Sequence, residues 1–179
     1  MTDPTSQQYV ALPGSERELV PGARVVGPVD ANEVIQLTIK VRPRSSAGDL
    51  AREADALGAL PPNQRTYLTS EEYESTYGAD PADVQRIVEF AEQHHLQVLV
   101  SDLSQRTIAV SGTAQQIADT FRVKLMQYES PQGAYRGRLG PVYVPSDLQP
   151  LIEGIFGLDN RQQAHRQVSS TSGDAEKTP

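Results

Sequence analysis

Cysteine and tryptophan are absent from the sequence, and phenylalanine occurs only 3 times. The lack of cysteine excludes a disulfide framework and a thiolate metal site. Because aromatic residues are scarce among the 37% of hydrophobic residues, we expect a modest and mainly aliphatic core. No apolar run approaches the length of a membrane-spanning helix, and no ordinary signal peptide is visible at the start.

Basic residues are too few for a nucleic-acid-binding surface. Lys and Arg number 16 against 23 Asp and Glu, so the formal net charge is −7. Nucleic-acid recognition needs a basic stripe, which this balance argues against. It favours a soluble protein, or one that docks on a partner of complementary charge. The length of 179 residues suffices for one domain with a core and loosely ordered ends.

Alternation of apolar and polar residues predicts the strands. In EVIQLTIKVRPR, the apolar residues from Ile35 to Val41 would face a core, whereas Gln36, Thr38 and Lys40 would face the other way. Two shorter strands are predicted in QVLVSD and RTIAVSG, joined by a tight turn. A fourth strand is predicted in VKLMQYES.

Capping residues predict where the helices begin. Thr69 with Glu72 and Thr113 with Gln116 form capping boxes, and Asp80 is an N-cap followed by proline. These signals predict helices in LTSEEYESTYG, TAQQIADTF and DPADVQRIVEFAEQHH. Helical spacing predicts one more helix in AGDLAREADALGAL.

The predicted order is β-α-β-β-α-β, with a small pair of helices inserted after the first strand. This is an α+β, ferredoxin-like arrangement: an antiparallel sheet with its helices on one face. Residues 1–31, rich in Pro, Gly and Ser, would be an extended lead-in that is weakly ordered at best. AYRGRLGPVYVP is predicted to be an extended arm, and Ser146 to cap a last apolar segment with Pro150 near its first turn.

No cluster of residues predicts an active site. His94 and His95 are adjacent on a helix and point about 100° apart, so they do not share one metal ion easily. Glu92 and His95 have the spacing of di-iron helices, but the second such pair is missing. Ser111 lies outside any G-x-S-x-G frame. The acidic residues between positions 71 and 89 offer no isolated pair in an apolar setting, so we expect a solvated or partner-facing surface.

Three separated blocks carry a family resemblance. They are LTSEEYESTYGADPADVQRIVEFAEQHHLQV, IAVSGTAQQIADTFRVKLMQYESPQGAYRG and VYVPSDLQPLIEGIFGLDN, in that order. The stretch from Glu33 to Asn160 resembles the N-terminal activation domain of sedolisin, or serine-carboxyl peptidase, precursors of the kumamolisin type. His95 occupies a position where glycine is common in that family.

The resemblance implies a prosegment that assists folding of a subtilisin-like catalytic domain and blocks its substrate cleft until acid activation. The catalytic Ser, Glu and Asp and the calcium site would belong to that other domain, so no cofactor is implied in this chain. The family's nucleophile sits in a Gly-Thr-Ser motif of that other domain, whereas Gly112 and Thr113 here are followed by Ala114 and stand in a different structural context. No catalytic residue is therefore assigned here.

The resemblance also implies a division of the chain and a set of candidate sites. Residues 32–160 would be the activation domain, and residues 161–179 a flexible linker that crosses the cleft. The candidate residues are Ala164, His165 and Arg166 for the processing linker, and Gln36, Thr38, Lys40, Tyr135, Arg136 and Arg138 for the protease-docking surface.

The implied partner is a sedolisin catalytic domain in cis or in trans, with the chain monomeric, secreted, and binding neither nucleic acid nor membrane. Two alternatives remain open. A stand-alone ferredoxin-like module that binds a ligand or protein would show ligand-dependent melting, although no Gly-rich ligand loop supports it. An enzyme would show turnover by the isolated chain, although no catalytic constellation supports that.

Overall fold

The structure is a computed structural model that describes residues 8–45, 47–65 and 68–161. These residues form nine strands and four α-helices. The strands are β1 Tyr9–Ala11, β2 Arg24–Pro28, β3 Val34–Val41, β4 Gln97–Asp102, β5 Thr107–Thr113, β6 Met126–Ser130, β7 Gly133–Gly137, β8 Tyr143–Pro145 and β9 Ile152–Phe156, and the helices are α1 Ala47–Ala59, α2 Ser70–Tyr77, α3 Pro81–Gln93 and α4 Ala114–Phe121.

The largest sheet has four antiparallel strands in the order β4-β5-β3-β9. Along the chain, these strands and the helices between them follow the order β3, α3, β4, β5, α4, β9, and α1 and α2 are inserted after β3. This is the β-α-β-β-α-β arrangement, so the predicted α+β, ferredoxin-like fold class is confirmed.

The identity of the fourth strand in that sheet was predicted incorrectly. Met126–Ser130 does form a strand, but it lies in a separate three-stranded sheet of order β2-β6-β7. The fourth position belongs to Ile152–Phe156, where a capped segment was expected to continue as a helix. Pro150 supports only a short 3-10 turn, Gln149–Leu151. Pairing of Ile155 with Ile39 then draws the chain into the sheet.

The core lies between the inner face of this sheet and two helices. Ile35, Leu37, Ile39 and Val41 are each at most 2% exposed, as the alternation of β3 predicts. Helices α3 and α4 cover this face, and their apolar stripes meet where the Phe90 and Phe121 rings lie 6.3 Å apart. Complete burial of one such aliphatic side chain contributes ~1.5–3 kcal/mol, so this layer is a main source of stability.

Residues 8–31 are more ordered than the sequence predicts. Strand β1 pairs with β8, and β2 pairs with β6 in the three-stranded sheet. Leu12 is only 1% exposed, and its amide donates to the Val142 carbonyl at 2.7 Å. The expectation of a weakly ordered lead-in is therefore wrong for these residues, because strands distant in sequence supply the backbone partners that the lead-in lacks locally.

Three of the four predicted caps are formed, and the fourth, Ser146, is not, because the short 3-10 turn begins after Leu148 with no side-chain cap bond. The Thr69–Glu72 and Thr113–Gln116 capping boxes are both formed, and Asp80 caps α3. At the other end of α3, His95 adopts φ 59°, the left-handed region that glycine enters most easily. This geometry explains why glycine suits that position, and the His95 amide still closes the helix by donating to the Glu92 carbonyl at 2.9 Å.

Candidate protein-docking surface

A row of four side chains crosses the outer face of the four-stranded sheet. The register pairs Val100 of β4 with Ala109 of β5, Ala109 with Thr38 of β3, and Thr38 with Phe156 of β9. Because side chains alternate along a strand and align across strands, these four lie side by side opposite the core. We call them the outer-face row.

The outer-face row is apolar at both ends and open to solvent. Val100 is 61% exposed and Phe156 55% exposed, so the described residues leave both uncovered. The ring of Phe156 lies over Gly154, where a Cβ atom would stand only 2.9 Å from the ring. Exposed aromatic and aliphatic side chains that share one face of a sheet are a feature of protein-binding surfaces.

Rows of polar side chains lie on either side of the outer-face row. On one side Gln36 pairs with Ser111, which pairs in turn with Gln97. On the other side, Lys40 pairs with Thr107. The predicted placement of Gln36, Thr38 and Lys40 on the face opposite the core is confirmed, since the burial of β3 alternates from Val34 to Val41. Their role in docking stays a prediction.

An open groove continues the surface at the Lys40 end. It is lined by Lys40 and Thr107 of the sheet, by Leu68, which lies just before α2, and by Tyr73 within α2. Leu68 is 49% exposed and Tyr73 48% exposed. The inserted helix α2 thus adds apolar surface beside the outer face of the sheet.

The turn between β4 and β5 holds this end of the surface in place. Asp102 accepts hydrogen bonds from the Gln105 amide and the Ser104 hydroxyl, each at 2.7 Å, while the Lys40 Nζ donates to the Gln105 carbonyl at 2.6 Å. The bond from the Gln105 amide, followed by that from Ser104 and the charge of Lys40, lowers the pKa of the Asp102 carboxyl from its ordinary value.

We expect Asp102→Asn to lower the free energy of unfolding at neutral pH by a modest amount, with the difference from the unchanged chain disappearing in strong acid. Because the pKa of Asp102 is lowered in the folded state, its contribution is fully present above the unfolded pKa of about 3.9. It is lost as pH falls through the lower, folded value. Urea unfolding followed by circular dichroism from about pH 7 to about pH 2 measures this.

The matched control for Asp102→Asn is Glu18→Gln, which removes one negative charge from an exposed residue between β1 and β2. Its effect on the free energy of unfolding should be smaller at neutral pH. An Asp102→Asn effect that persists unchanged in strong acid would show that the ionised carboxylate does not hold the turn.

Three predicted docking residues lie inside the domain instead. Tyr135 is 8% exposed and stacks on Tyr128 with ring centroids 5.2 Å apart. Arg138 is 5% exposed and donates from Nη2 to the Ser15 carbonyl at 2.6 Å. Arg136 is 9% exposed. This corrects the expectation that Tyr135, Arg136 and Arg138 belong to the docking surface. Carbonyls from distant parts of the chain accept hydrogen bonds from both guanidinium groups: Gly157 from Arg136 and Ser15 from Arg138.

Burial has an electrostatic consequence at Arg138. Its Nε is buried and has no hydrogen-bond partner within the described residues, while its Nη1 donates to the Gly140 carbonyl. Desolvation lowers the pKa of this guanidinium from its ordinary value. The group nonetheless stays protonated, as arginine does in proteins. Arg138 therefore acts as a structural cross-link to the segment around Ser15.

The sequence analysis did not predict Val100 and Phe156 as surface residues of a docking face. Phe156 stands in a segment expected to be helical, and Val100 follows a bulge, since pairing to β5 shifts register between Val98 and Val100. A correct assignment of Ile152–Phe156 as a strand would have revealed Phe156, because Ile155 then faces the core and its neighbour faces outward.

Two residues that the sequence analysis considered for chemistry have structural roles. Thr113 is the N-cap of α4, where its hydroxyl accepts from the Gln116 amide at 3.2 Å, and Ala114 follows it. His94 Nδ1 contacts the Phe90 carbonyl at 2.9 Å and its Nε2 contacts the Tyr9 hydroxyl at 3.2 Å, which makes it a structural residue.

Residues 8–45, 47–65 and 68–161 hold no group of three or more His, Asp or Glu side chains placed to bind a metal ion. No helix in this part of the chain is long and apolar enough to cross a membrane. The linker candidates Ala164, His165 and Arg166 lie outside the described residues.

Comparison with known proteins gives a consistent result. Residues 21–161 match the family described as the pro-kumamolisin activation domain. The chain is 34% identical to kumamolisin of Bacillus sp. strain MN-32 over 153 residues, which is 86% of this chain and 28% of that protein. It is 27% identical to the tripeptidyl-peptidase sed5 of Aspergillus fumigatus over 84% of this chain and 28% of the relative. Sedolisin of Pseudomonas sp. strain 101 is 22% identical over 80% of this chain and 24% of the relative.

These matches confirm the resemblance drawn from the three sequence blocks. The chain spans roughly a quarter of the length of each of these relatives. Since the family match extends over well more than half of its residues, the protein belongs to the pro-kumamolisin activation domain family, the propeptide family of sedolisin-type peptidases.

Proposed function

We propose that this chain is the propeptide of a secreted, acid-acting serine endopeptidase of the sedolisin type, which it helps to fold and then inhibits. It docks on the catalytic domain through the outer face of its four-stranded sheet. The observation that supports this most directly is the outer-face row, in which Val100 and Phe156 remain more than half exposed on hydrogen-bonded strands. An uncovered apolar row of this kind gains free energy when a partner covers it.

The C-terminal linker supplies the inhibition. The chain beyond Arg161 crosses the substrate cleft, with Ala164, His165 and Arg166 near the active site and near the first cut. A segment tethered to a docked domain has a high effective concentration, so even a modest intrinsic affinity for the cleft blocks it. Autoproteolysis of the linker at acid pH then releases the enzyme.

Acid loosens the complex through carboxylates at its interface. A carboxylate paired with Arg or Lys of the partner has a pKa below its free value. Such a pair stabilises the complex above the free pKa, and that contribution is lost as pH falls through the bound value. The net charge of −7 supplies the surplus carboxylates that this mechanism needs.

The test is inhibition of mature kumamolisin from Bacillus sp. strain MN-32, the enzyme of the relative with 34% identity. We expect the purified chain to inhibit peptide hydrolysis with an inhibition constant that rises as pH is lowered from about 6 to about 3. The expected inhibition constant at the upper pH is micromolar or tighter, as befits a standard-sized interface.

Two results would contradict the proposal. An absence of inhibition at every pH would contradict the docking function. An inhibition constant that does not change with pH would contradict the acid mechanism. Turnover of the substrate by the chain alone would instead favour the enzyme alternative.

A further inference from the structure

The chain leaves the described domain through a short segment that is held at several points. Residues 157–161, which we call the exit segment, follow β9 directly. Leu158 within it is only 2% exposed. At its end, Asp159 accepts from the Arg161 amide at 2.9 Å and forms an ion pair with the Arg161 guanidinium at 3.3 Å. The exit segment is therefore part of the folded domain.

Arg136 of β7 makes most of the bonds that hold the exit segment. Its Nη2 donates to the Gly157 carbonyl at 2.9 Å and its Nε to the Leu158 carbonyl at 3.4 Å. Its main chain forms a reciprocal pair with Asn160: the Arg136 amide donates to the Asn160 Oδ1 at 2.6 Å, and the Asn160 amide to the Arg136 carbonyl at 3.0 Å. One residue thus binds three of the five residues of the segment.

The same guanidinium is anchored to the start of the central strand. Its Nη1 forms an ion pair with Glu33, which immediately precedes β3. The side chain of Arg136 is 10% exposed and that of Glu33 is 34% exposed, so the guanidinium is largely shielded from water while its carboxylate partner is partly solvated. Removal of one partner would leave the buried guanidinium charge poorly compensated.

The exit segment begins beside the outer-face row. Gly157 has φ +98°, and a Cβ atom there would stand 2.6 Å from the Gln36 carbonyl oxygen of β3. Phe156, at the end of the row, is the preceding residue. The exit point of the chain therefore has a fixed position relative to the surface that docks.

A fixed exit matters because the distance to the proposed cleft-crossing residues is short. Ala164 is three residues beyond Arg161 and Arg166 is five residues beyond it. A chain of three to five residues spans at most ~10–18 Å. Release of the five-residue exit segment would double the free length before Arg166, and effective concentration falls as roughly the −3/2 power of length, which is about threefold.

We propose that Arg136 is a positioning residue that fixes where the C-terminal linker leaves the domain, so that a docked domain delivers the linker into the substrate cleft of its peptidase partner. The inference rests on the proposed function. It assigns the buried Arg136 a role in the delivery of the linker, in place of the surface role that the sequence suggested.

The experiment measures binding of the full chain to mature kumamolisin in two states. In the first state the substrate cleft is free, and in the second it is filled by a covalent peptide aldehyde, so that only the docking surface contributes. We expect Asn160→Ala and Arg136→Lys to weaken binding to the free enzyme about three- to tenfold and to leave binding to the filled enzyme unchanged. The variants keep the outer-face row, which explains the second expectation.

Three further measurements make the result specific. Asn160→Asp keeps the acceptor for the Arg136 amide and should restore the original affinity. Arg24→Lys alters an exposed ion pair with Glu129 in the same three-stranded sheet and should change neither state. Hydrogen exchange at the backbone amide of residue 160 should be faster in Asn160→Ala than in the unchanged chain. If Arg136→Lys does not fold, Asn160→Ala alone tests the proposal.

Equal weakening in both enzyme states, no weakening with the free cleft, or unaltered hydrogen exchange would each overturn the positioning role while leaving the docking function intact. If the unchanged chain binds neither state, the proposed function fails and the inference fails with it.

Discussion

Phe156→Ala is expected to raise the inhibition constant of the chain for a sedolisin-type peptidase by about 10- to 100-fold. The ring lies on the outer-face row over Gly154 and is 55% exposed, so it is positioned to be buried by a partner. Truncation of an aromatic side chain that a partner buries costs about 1.4–2.8 kcal/mol, and each 1.4 kcal/mol is tenfold in affinity. Titration of mature kumamolisin activity with each variant measures the effect.

A matched control separates docking from folding in this experiment. Leu139 is 50% exposed, close to the value for Phe156, but it lies between β7 and β8 and away from the outer-face row. Leu139→Ala should change the inhibition constant less than about threefold, since it removes similar exposed apolar surface elsewhere. Similar losses in both variants would show that the outer-face row is not the docking surface.

Local patterns predicted much of the fold that supports this surface. The alternation from Ile35 to Val41 gave the correct inner and outer faces of β3, because a strand with one buried face needs no information from outside the strand. The capping boxes at Thr69 and Thr113 were equally local, since donor and acceptor lie three residues apart.

Features that depend on distant partners could not be predicted in this way. The segment Ile152–Phe156 is a strand because it pairs with the free edge of β3. The sequence of the segment itself does not indicate that this edge is available. The three-stranded sheet has the same origin, since β2 and β6 are almost one hundred residues apart along the chain. The outer-face row therefore emerged only from the register across four strands.

The error over Arg136 and Arg138 has a related physical cause. Arginine is rarely buried, and nothing in the sequence around these two arginines indicates that they are. Their burial becomes favourable only because the carbonyls of Ser15 and Gly157 reach them from segments more than twenty residues away. For Arg136, the correction turned a proposed contact residue into one that holds the chain exit.

Ile39→Ala is expected to lower the free energy of unfolding by about 2–5 kcal/mol, the range for removal of a large buried aliphatic side chain. Ile39 is 0% exposed at the centre of β3, where it pairs with Ile108 on one side and Ile155 on the other. A domain of this size has a total stability of ~5–15 kcal/mol, so the change removes a large part of it. Urea unfolding followed by circular dichroism is suitable, since the sequence has no tryptophan.

The neighbouring residue provides the control for this prediction. Thr38 lies one position away on the outer face, so Thr38→Ala should cost less than about 1 kcal/mol in stability while affecting inhibition more than its stability change accounts for. Ile39→Ala should instead lower stability strongly and leave inhibition nearly unchanged. The affinity of its folded fraction for the peptidase should stay near that of the unchanged chain. If Thr38→Ala destabilised the fold as much as Ile39→Ala, the assignment of inner and outer faces would be wrong, and with it the docking surface. Opposite effects at adjacent positions would instead show that one strand supports the core with one face and the partner with the other.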